Sequence, residues 1–162
     1  MNDQIHRLLL VISSDLQHLS DRYYIIGSCA MILSGLPIEK TSDLDLLVSA
    51  NDAEMLSKLW YDRKRKNFQP SGSDRFRSHF SRYDFGEIDI EVMGDLQVCK
   101  NGQWIPLRVE EYKTIPIGAC SFKVPTLKEQ HRIFHFFGRE KDLLKAKMIE
   151  DHFAISPSTP KK

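Results

Sequence analysis

What the chain has little of is the first guide. None of its apolar runs reaches the ~18–20 residues that a membrane-crossing helix needs. It carries only three cysteines, Cys29, Cys99 and Cys120, with no CxxC spacing. That argues against a disulfide scaffold and a structural zinc site, and it makes a reducing cytoplasm the expected setting. Net charge is almost absent, since 23 Lys and Arg against 22 Asp and Glu leave +1 with histidine neutral. Binding of nucleic acid by bulk charge is therefore not expected, although a local basic patch remains open. The opening residues Met1–Arg7 lack the charged-then-apolar pattern of a signal peptide, and Leu8–Ile12 is too short to supply it, so no leader is expected. No internal repeat and no linker interrupts the chain. Only 156–162, Ser-Pro-Ser-Thr-Pro-Lys-Lys, reads as a disordered tail.

What is present is a dense series of periodic segments. The 162 residues are 41% hydrophobic and 28% charged, which suits one globular domain over residues 1–155. Ile5, Leu8, Leu9, Ile12, Leu16 and Leu19 recur at helical spacing and predict an amphipathic helix over 3–20. Tyr23–Ile26 is a short β-favouring run, and a short helix over Cys29–Ser34 follows, stopped by Gly35 and Pro37. Asp43–Val48 alternates and then turns apolar, as a strand entering a core does. Asn51 or Asp52 is positioned to cap a helix over 53–66 that ends in Arg63-Lys64-Arg65-Lys66. Strands are expected at Phe76–Phe85, Glu87–Met93, Leu96–Lys100 and Gln103–Val109, with Gly86 and Asn101-Gly102 as hairpin turns. Tyr112–Ile117 and Ser121–Val124 form another pair. Two helices close the chain, one capped by Thr126 and one over about Glu140–Phe153. The sum is an α+β fold, a mixed or antiparallel sheet flanked by helices, with helices at its C-terminal end.

Three features carry chemistry. Asp43 and Asp45 lie two apart on one strand, so both project from one face while Leu44 and Leu46 project from the other. Two carboxylates that close repel, and a divalent cation offsets the repulsion; oxygen ligands on a rigid strand suit Mg²⁺. Upstream, Gly27-Ser28 joins a strand to a helix, where glycine allows close approach to a phosphate and the serine hydroxyl adds a donor. Downstream, Glu87, Asp89 and Glu91 alternate with Ile88, Ile90 and Val92 and give a strand one acidic face. Each pattern alone also fits a bland reading: exposed aspartates, a routine strand-to-helix turn, an amphipathic strand.

Taken together the three resemble the nucleotidyltransferase superfamily that includes DNA polymerase β. Its signature runs through Ile25-Ile26-Gly27-Ser28, Asp43-Leu44-Asp45-Leu46 and Ile90-Glu91-Val92-Met93-Gly94. The likeness is nearest to the small bacterial and archaeal members, among them toxin-like and antibiotic-modifying types. It touches residues 23–153. Fourteen residues, Cys29–Ser42, separate Ser28 from Asp43, somewhat more than the family's spacing, and Pro37–Lys40 accounts for the extra loop.

The resemblance implies two Mg²⁺ ions on Asp43, Asp45 and a third carboxylate, Glu91 or in reserve Asp89. It implies a nucleoside triphosphate donor, held by Gly27 and Ser28. Gly138-Arg139-Glu140-Lys141-Asp142 is similar to an element that faces the nucleotide in such enzymes, so Lys141 is expected on the triphosphate with Arg139 in support. The implied reaction moves a nucleoside monophosphate to a hydroxyl acceptor and releases pyrophosphate. Nothing selects ATP over other nucleotides, or a small molecule over a tRNA end or a protein side chain as acceptor. A membrane partner is not expected. A catalytically silent nucleotide- or partner-binding relative stays open, as does an RNA-binding module using Arg75, Arg77 and Arg82 with Phe76, Phe80, Tyr83 and Phe85.

Other signals weigh less. His131 and His135 have metal-compatible spacing on a helix, but no third ligand is evident in the sequence and a packed or surface role is expected. Cys29 reads as small core filler.

Overall fold

The computed structural model describes residues 2–70 and 72–155; the tail read over 156–162 lies outside them. Ile5, Leu8, Leu9, Ile12 and Leu16 form one buried stripe along helix α1 (Asn2–Leu16), as their spacing predicts. The helix stops short of residue 20 because the next backbone amides are drawn elsewhere. The N–H groups of Ser20 and Asp21 donate to the two carboxylate oxygens of Asp52, at 2.8 and 2.9 Å. The chain then enters β1 (Tyr24–Ile26), α2 (Gly27–Leu33) and β2 (Asp43–Val48).

Helix α3 (Ala50–Leu59) differs from expectation at both ends. Ser49, not Asn51 or Asp52, is its cap, and its Oγ accepts from the Asp52 N–H at 3.1 Å. The Asp52 side chain is buried and taken up by Ser20 and Asp21. The helix ends at Trp60, whose indole N–H donates to Asp15 Oδ2 at 2.9 Å and whose ring meets Tyr83 and Phe85 edge-on. A single 3₁₀ turn follows at Tyr61–Arg63. The basic run is therefore not a helix terminus. Lys64 bridges to Tyr83, and the Arg65 N–H donates to the Arg82 carbonyl at 2.8 Å, which ties the run to the strand that carries Arg82.

That strand is β3 (Phe76–Asp84), followed by β4 (Asp89–Lys100) and β5 (Gln103–Pro106). The two segments expected at Glu87–Met93 and Leu96–Lys100 are one continuous strand. Asp95 takes a left-handed φ of 50°, and a register shift between Arg77 and His79 in β3 absorbs the kink. Asn101 and Gly102 both have positive φ, 52° and 77°, as their hairpin turn demands. The sheet runs β1-β2-β4-β3 with β5 also on β4; only the β2–β4 pairing is parallel. A second hairpin, β6 (Tyr112–Ile117) with β7 (Cys120–Pro125), forms its own two-stranded sheet and packs against β1.

Helix α4 (Leu127–Phe137) opens on Thr126, whose Oγ1 accepts from the Glu129 N–H at 3.2 Å, and ends at Gly138 in the left-handed region. Helix α5 (Glu140–Ile155) packs beside it through Ala146 and Ile149. One apolar cluster lies between the sheet, α1 and the second hairpin; another lies between the sheet and α4–α5. The architecture is the expected α+β fold, with a mixed sheet and helices at its end. No described helix is long and apolar enough to cross a membrane.

Candidate active site

The sheet brings the acidic residues together by register. Parallel pairing sets Asp43 opposite Asp89 and Asp45 opposite Glu91. On the far side of β4, Arg82 faces Glu91 and Asp84 faces Asp89; on the near side of β2, Ile26 faces Asp45. Residues directly opposite on adjacent strands share a face, so Asp43, Asp45, Asp89, Glu91 and Arg82 form one polar patch. The alternate residues Leu44, Leu46, Ile90 and Val92 are buried in the core beneath it.

Asp45 is the most confined of the set. Its Oδ1 is sealed from solvent and has no hydrogen-bond partner. Burial drives its carboxyl well above the usual carboxylate range, and the charges of Glu91 and Asp43 push it the same way; Lys145 on α5 acts in the opposite sense. Gly27, with φ of +74°, lies so close that a Cβ built there would stand 2.6 Å from Asp45 Oδ2. Glu91 is half-buried, and its carboxyl is also raised, by burial and then by Asp43, with Arg82 offsetting part of the effect.

Asp89 differs from Glu91. Burial alone would raise its carboxyl, but hydrogen bonds from two guanidinium groups outweigh that and hold it below the usual range. Arg65 donates to it through Nε at 2.7 Å and through NH2 at 3.1 Å, and Arg82 Nε donates at 2.8 Å. Arg82 reaches further, with NH1 at 3.4 Å from Asp43 Oδ2 and in contact with Glu91 Oε2. One guanidinium thus touches three carboxylates, and its other face lies over the Phe68 ring at 4.8 Å.

The donor set fits a hard divalent cation. Carboxylate oxygens on two rigid strands suit magnesium, and the unpartnered Oδ1 of Asp45 is a buried acceptor that a cation would satisfy. Arg82 contacts Asp43 and Glu91, and Glu91 shares a side-chain hydrogen bond with Asp45, whereas Asp89 is held by two arginines.

The other expected residues fall as follows. Gly27 and Ser28 form the half-buried first turn of α2, beside Asp45. Arg139 is committed to Asp142 through Nε at 2.5 Å and NH2 at 2.9 Å, and it lies against the Phe76 and Phe137 rings. Its own N–H also donates to Asp142, so the pair fastens the start of α5. Lys141 is exposed in the first turn of that helix. Lys145, one turn further, is the lysine whose charge reaches Asp45. Cys29 is buried core, its thiol pushed up by burial and donating to the Asp43 carbonyl at 3.4 Å. His131 and His135 lie on α4, where His131 meets Glu150 of α5.

Arg65, Arg82 and Lys145 are charges at this site that sequence reasoning did not assign to it. The hairpin about Gly86 held the signal for Arg82, since counting back from that turn sets it against Glu91. Beside Arg65 opens a cavity of about 670 Å³ lined by Arg63, Lys64, Lys66, Phe68 and Asp84.

No protein-family model and no curated protein matches the sequence. Solved structures do match the fold. A protein from Thermotoga maritima, provisionally assigned as a nucleotidyltransferase, superposes with a TM-score of 0.74 at 20% identity, over 96% of each chain. A lincosamide antibiotic adenylyltransferase with lincomycin bound gives a TM-score of 0.56 at 13% identity, over 88% of this chain and 94% of that one. The antibiotic-resistance factor ANT(2″)-Ia, in complex with adenylyl-2″-tobramycin, gives 0.51 at 11% identity, over 93% and 87%. At such identities what is shared is the fold, and the fold is that of nucleotidyltransferases.

Proposed function

We propose that the chain is a Mg²⁺-dependent nucleotidyltransferase that moves a nucleoside monophosphate from a nucleoside triphosphate to a hydroxyl acceptor. The observation that carries this reading is the buried Asp45 carboxylate, its Oδ1 unpartnered, set in register beside Glu91 and two residues from Asp43. A site free of metal chemistry has little reason to bear the cost of such a cluster. Asp43, Asp45 and Glu91 are the proposed ligands of two magnesium ions. Asp89 becomes the anchor of Arg65 and Arg82. Bound magnesium supplies charge neutralisation on the triphosphate and acidifies the acceptor hydroxyl.

The remaining work belongs to the chain. Gly27 lets the turn close directly on Asp45, where its backbone can approach a phosphate, and Ser28 offers a hydroxyl donor. Lys145, with Lys141 nearer the solvent, supplies positive charge on the nucleotide side, while Arg139 keeps α5 in position through Asp142. The acceptor oxygen attacks the α-phosphorus, the bond to the bridging oxygen breaks, pyrophosphate leaves, and the acceptor proton passes to water. The cavity beside Arg65 is the proposed seat of the acceptor.

A second reading is favoured by one observation. Arg82 already neutralises three carboxylates, as it would in a nucleotide-binding relative that transfers nothing. The test incubates the protein with each labelled triphosphate, Mg²⁺ and a cell extract, and follows pyrophosphate release and label transfer. Transfer that is lost in the folded Asp43→Asn, Asp45→Asn double variant supports the enzyme. Nucleotide binding without transfer to any acceptor supports the silent relative, and undiminished transfer by the double variant sinks the metal assignment.

A further inference from the structure

Away from the acidic patch, α4 and α5 bring three metal-ligating side chains to one place. His131 and His135 stand one turn apart on α4, their rings 4.6 Å between centroids. Glu150, from α5, reaches across to them, with its Oε2 2.7 Å from His131 Nε2. One ligand atom from each residue lies within 4.8 Å of the other two. Among the described residues it is the one set of three that meets this spacing.

The chemistry of this trio differs from that of the strand carboxylates. Two neutral imidazoles and one carboxylate suit a borderline ion such as Zn²⁺ and are poor ligands for Mg²⁺, which prefers oxygen. With bonds of ~2.0–2.1 Å, a tetrahedral zinc holds its ligand atoms roughly 3.3–3.4 Å apart, so rotamer adjustments of up to about 1.5 Å close the set. All three side chains are at least partly exposed, which leaves an entry path and a coordination position for water. The nearby Lys147 opposes a cation, but its ammonium is paired with Asp151 at 3.2 Å. We propose that His131, His135 and Glu150 form a transition-metal site, occupied by Zn²⁺ for preference, that clamps α4 to α5. The clamp would matter at the patch as well, because α5 carries Lys145, whose charge reaches Asp45.

The competing explanation is a plain histidine–carboxylate ion pair. The two are separated by a chelator-competition titration of the full chain, carrying no polyhistidine tag, with Zn²⁺. Wild-type protein and the Asp43→Asn, Asp45→Asn variant are both expected to take up one tightly held Zn²⁺, and its uptake is expected to raise the melting temperature. His135→Ala, at an exposed position, is expected to weaken that binding by roughly tenfold or more with its fold intact. Glu150→Gln should weaken it as well. Zinc binding that survives His135→Ala, that disappears only with the two aspartates, or that is absent from wild type would each overturn the proposal.

Discussion

The backbone of Gly27 and the side chain of Asp45 are in such close approach that no Cβ fits between them; one placed there would lie 2.6 Å from Oδ2. The left-handed φ of +74° at Gly27 adds a conformational cost of roughly 1–2 kcal/mol for any L side chain. Gly27→Ala must therefore strain the turn, move the carboxylate, or both. The expected result is a small loss of thermal stability with a loss of nucleotide transfer of at least about tenfold, since ~1.4 kcal/mol of misplacement at the reacting centre already costs that much. Melting curves and initial rates on the same preparation check it. An alanine variant with the wild-type rate would show that the contact does not position Asp45.

Arg82 sets the next expectation. It touches Asp43, Asp89 and Glu91 at once, so removing it leaves carboxylates facing one another without their counter-charge. Metal-free Arg82→Ala protein should melt below wild type, by an amount on the order of 3 kcal/mol or more of lost stability. Added Mn²⁺ or Mg²⁺ should restore the variant more than it stabilises wild type, because the ion no longer competes with a guanidinium. Thermal melts across a metal titration read this directly. Equal responses of the two proteins would show that Arg82 and the metal do not share the carboxylates.

How far the sequence reached depends on how local each determinant is. The alternation of Asp43–Val48, the Asn101-Gly102 turn and the Thr126 cap are decided within a few residues, and the structure has all three where their patterns put them. The start of α3 was not legible, because Asp52, a good cap by type, is claimed by Ser20 and Asp21 more than thirty residues away. The pairing of Asp45 with Glu91 follows from strand register, and register across a parallel crossover is a tertiary fact. Arg65 and Lys145 reach the site only through packing. Glu150 escaped notice as a partner of His131 and His135 because it sits on a different helix, fifteen residues beyond His135.

Lys145 and Lys141 separate two ideas about α5. Lys145 exerts its charge on Asp45, while Lys141 lies exposed at the helix start. Lys145→Ala is expected to raise the KM for the triphosphate by about tenfold, worth ~1.4 kcal/mol of binding, with a smaller effect for Lys141→Ala. The loss should shrink as salt is added, because the interaction is between charges only partly shielded from water. Steady-state kinetics at two ionic strengths measures it. A larger defect from Lys141→Ala would return the triphosphate contact to the first turn of the helix.

Glu129 gives a pH dependence that is independent of the acidic patch. It is buried at the start of α4, accepts from Arg132 at 2.8 and 2.7 Å, and accepts from the Glu110 N–H at 2.5 Å. These bonds, those of Arg132 foremost, hold its carboxyl below the ordinary value of a glutamate, against the opposing effect of burial. A carboxyl lowered by folding stabilises the native state above its unfolded pKa, and that share is lost as pH falls through the lower, folded value. Glu129→Gln should accordingly cost about 1–2 kcal/mol near neutrality, a fall of roughly 2–8 °C in melting temperature. The gap between variant and wild type should narrow as pH falls from the unfolded glutamate range downward, until both forms are neutral at this position. Melting curves at steps from neutral pH into the acid range follow it. A gap that stays constant down the series would mean that the salt link to Arg132 contributes nothing and that only side-chain shape matters.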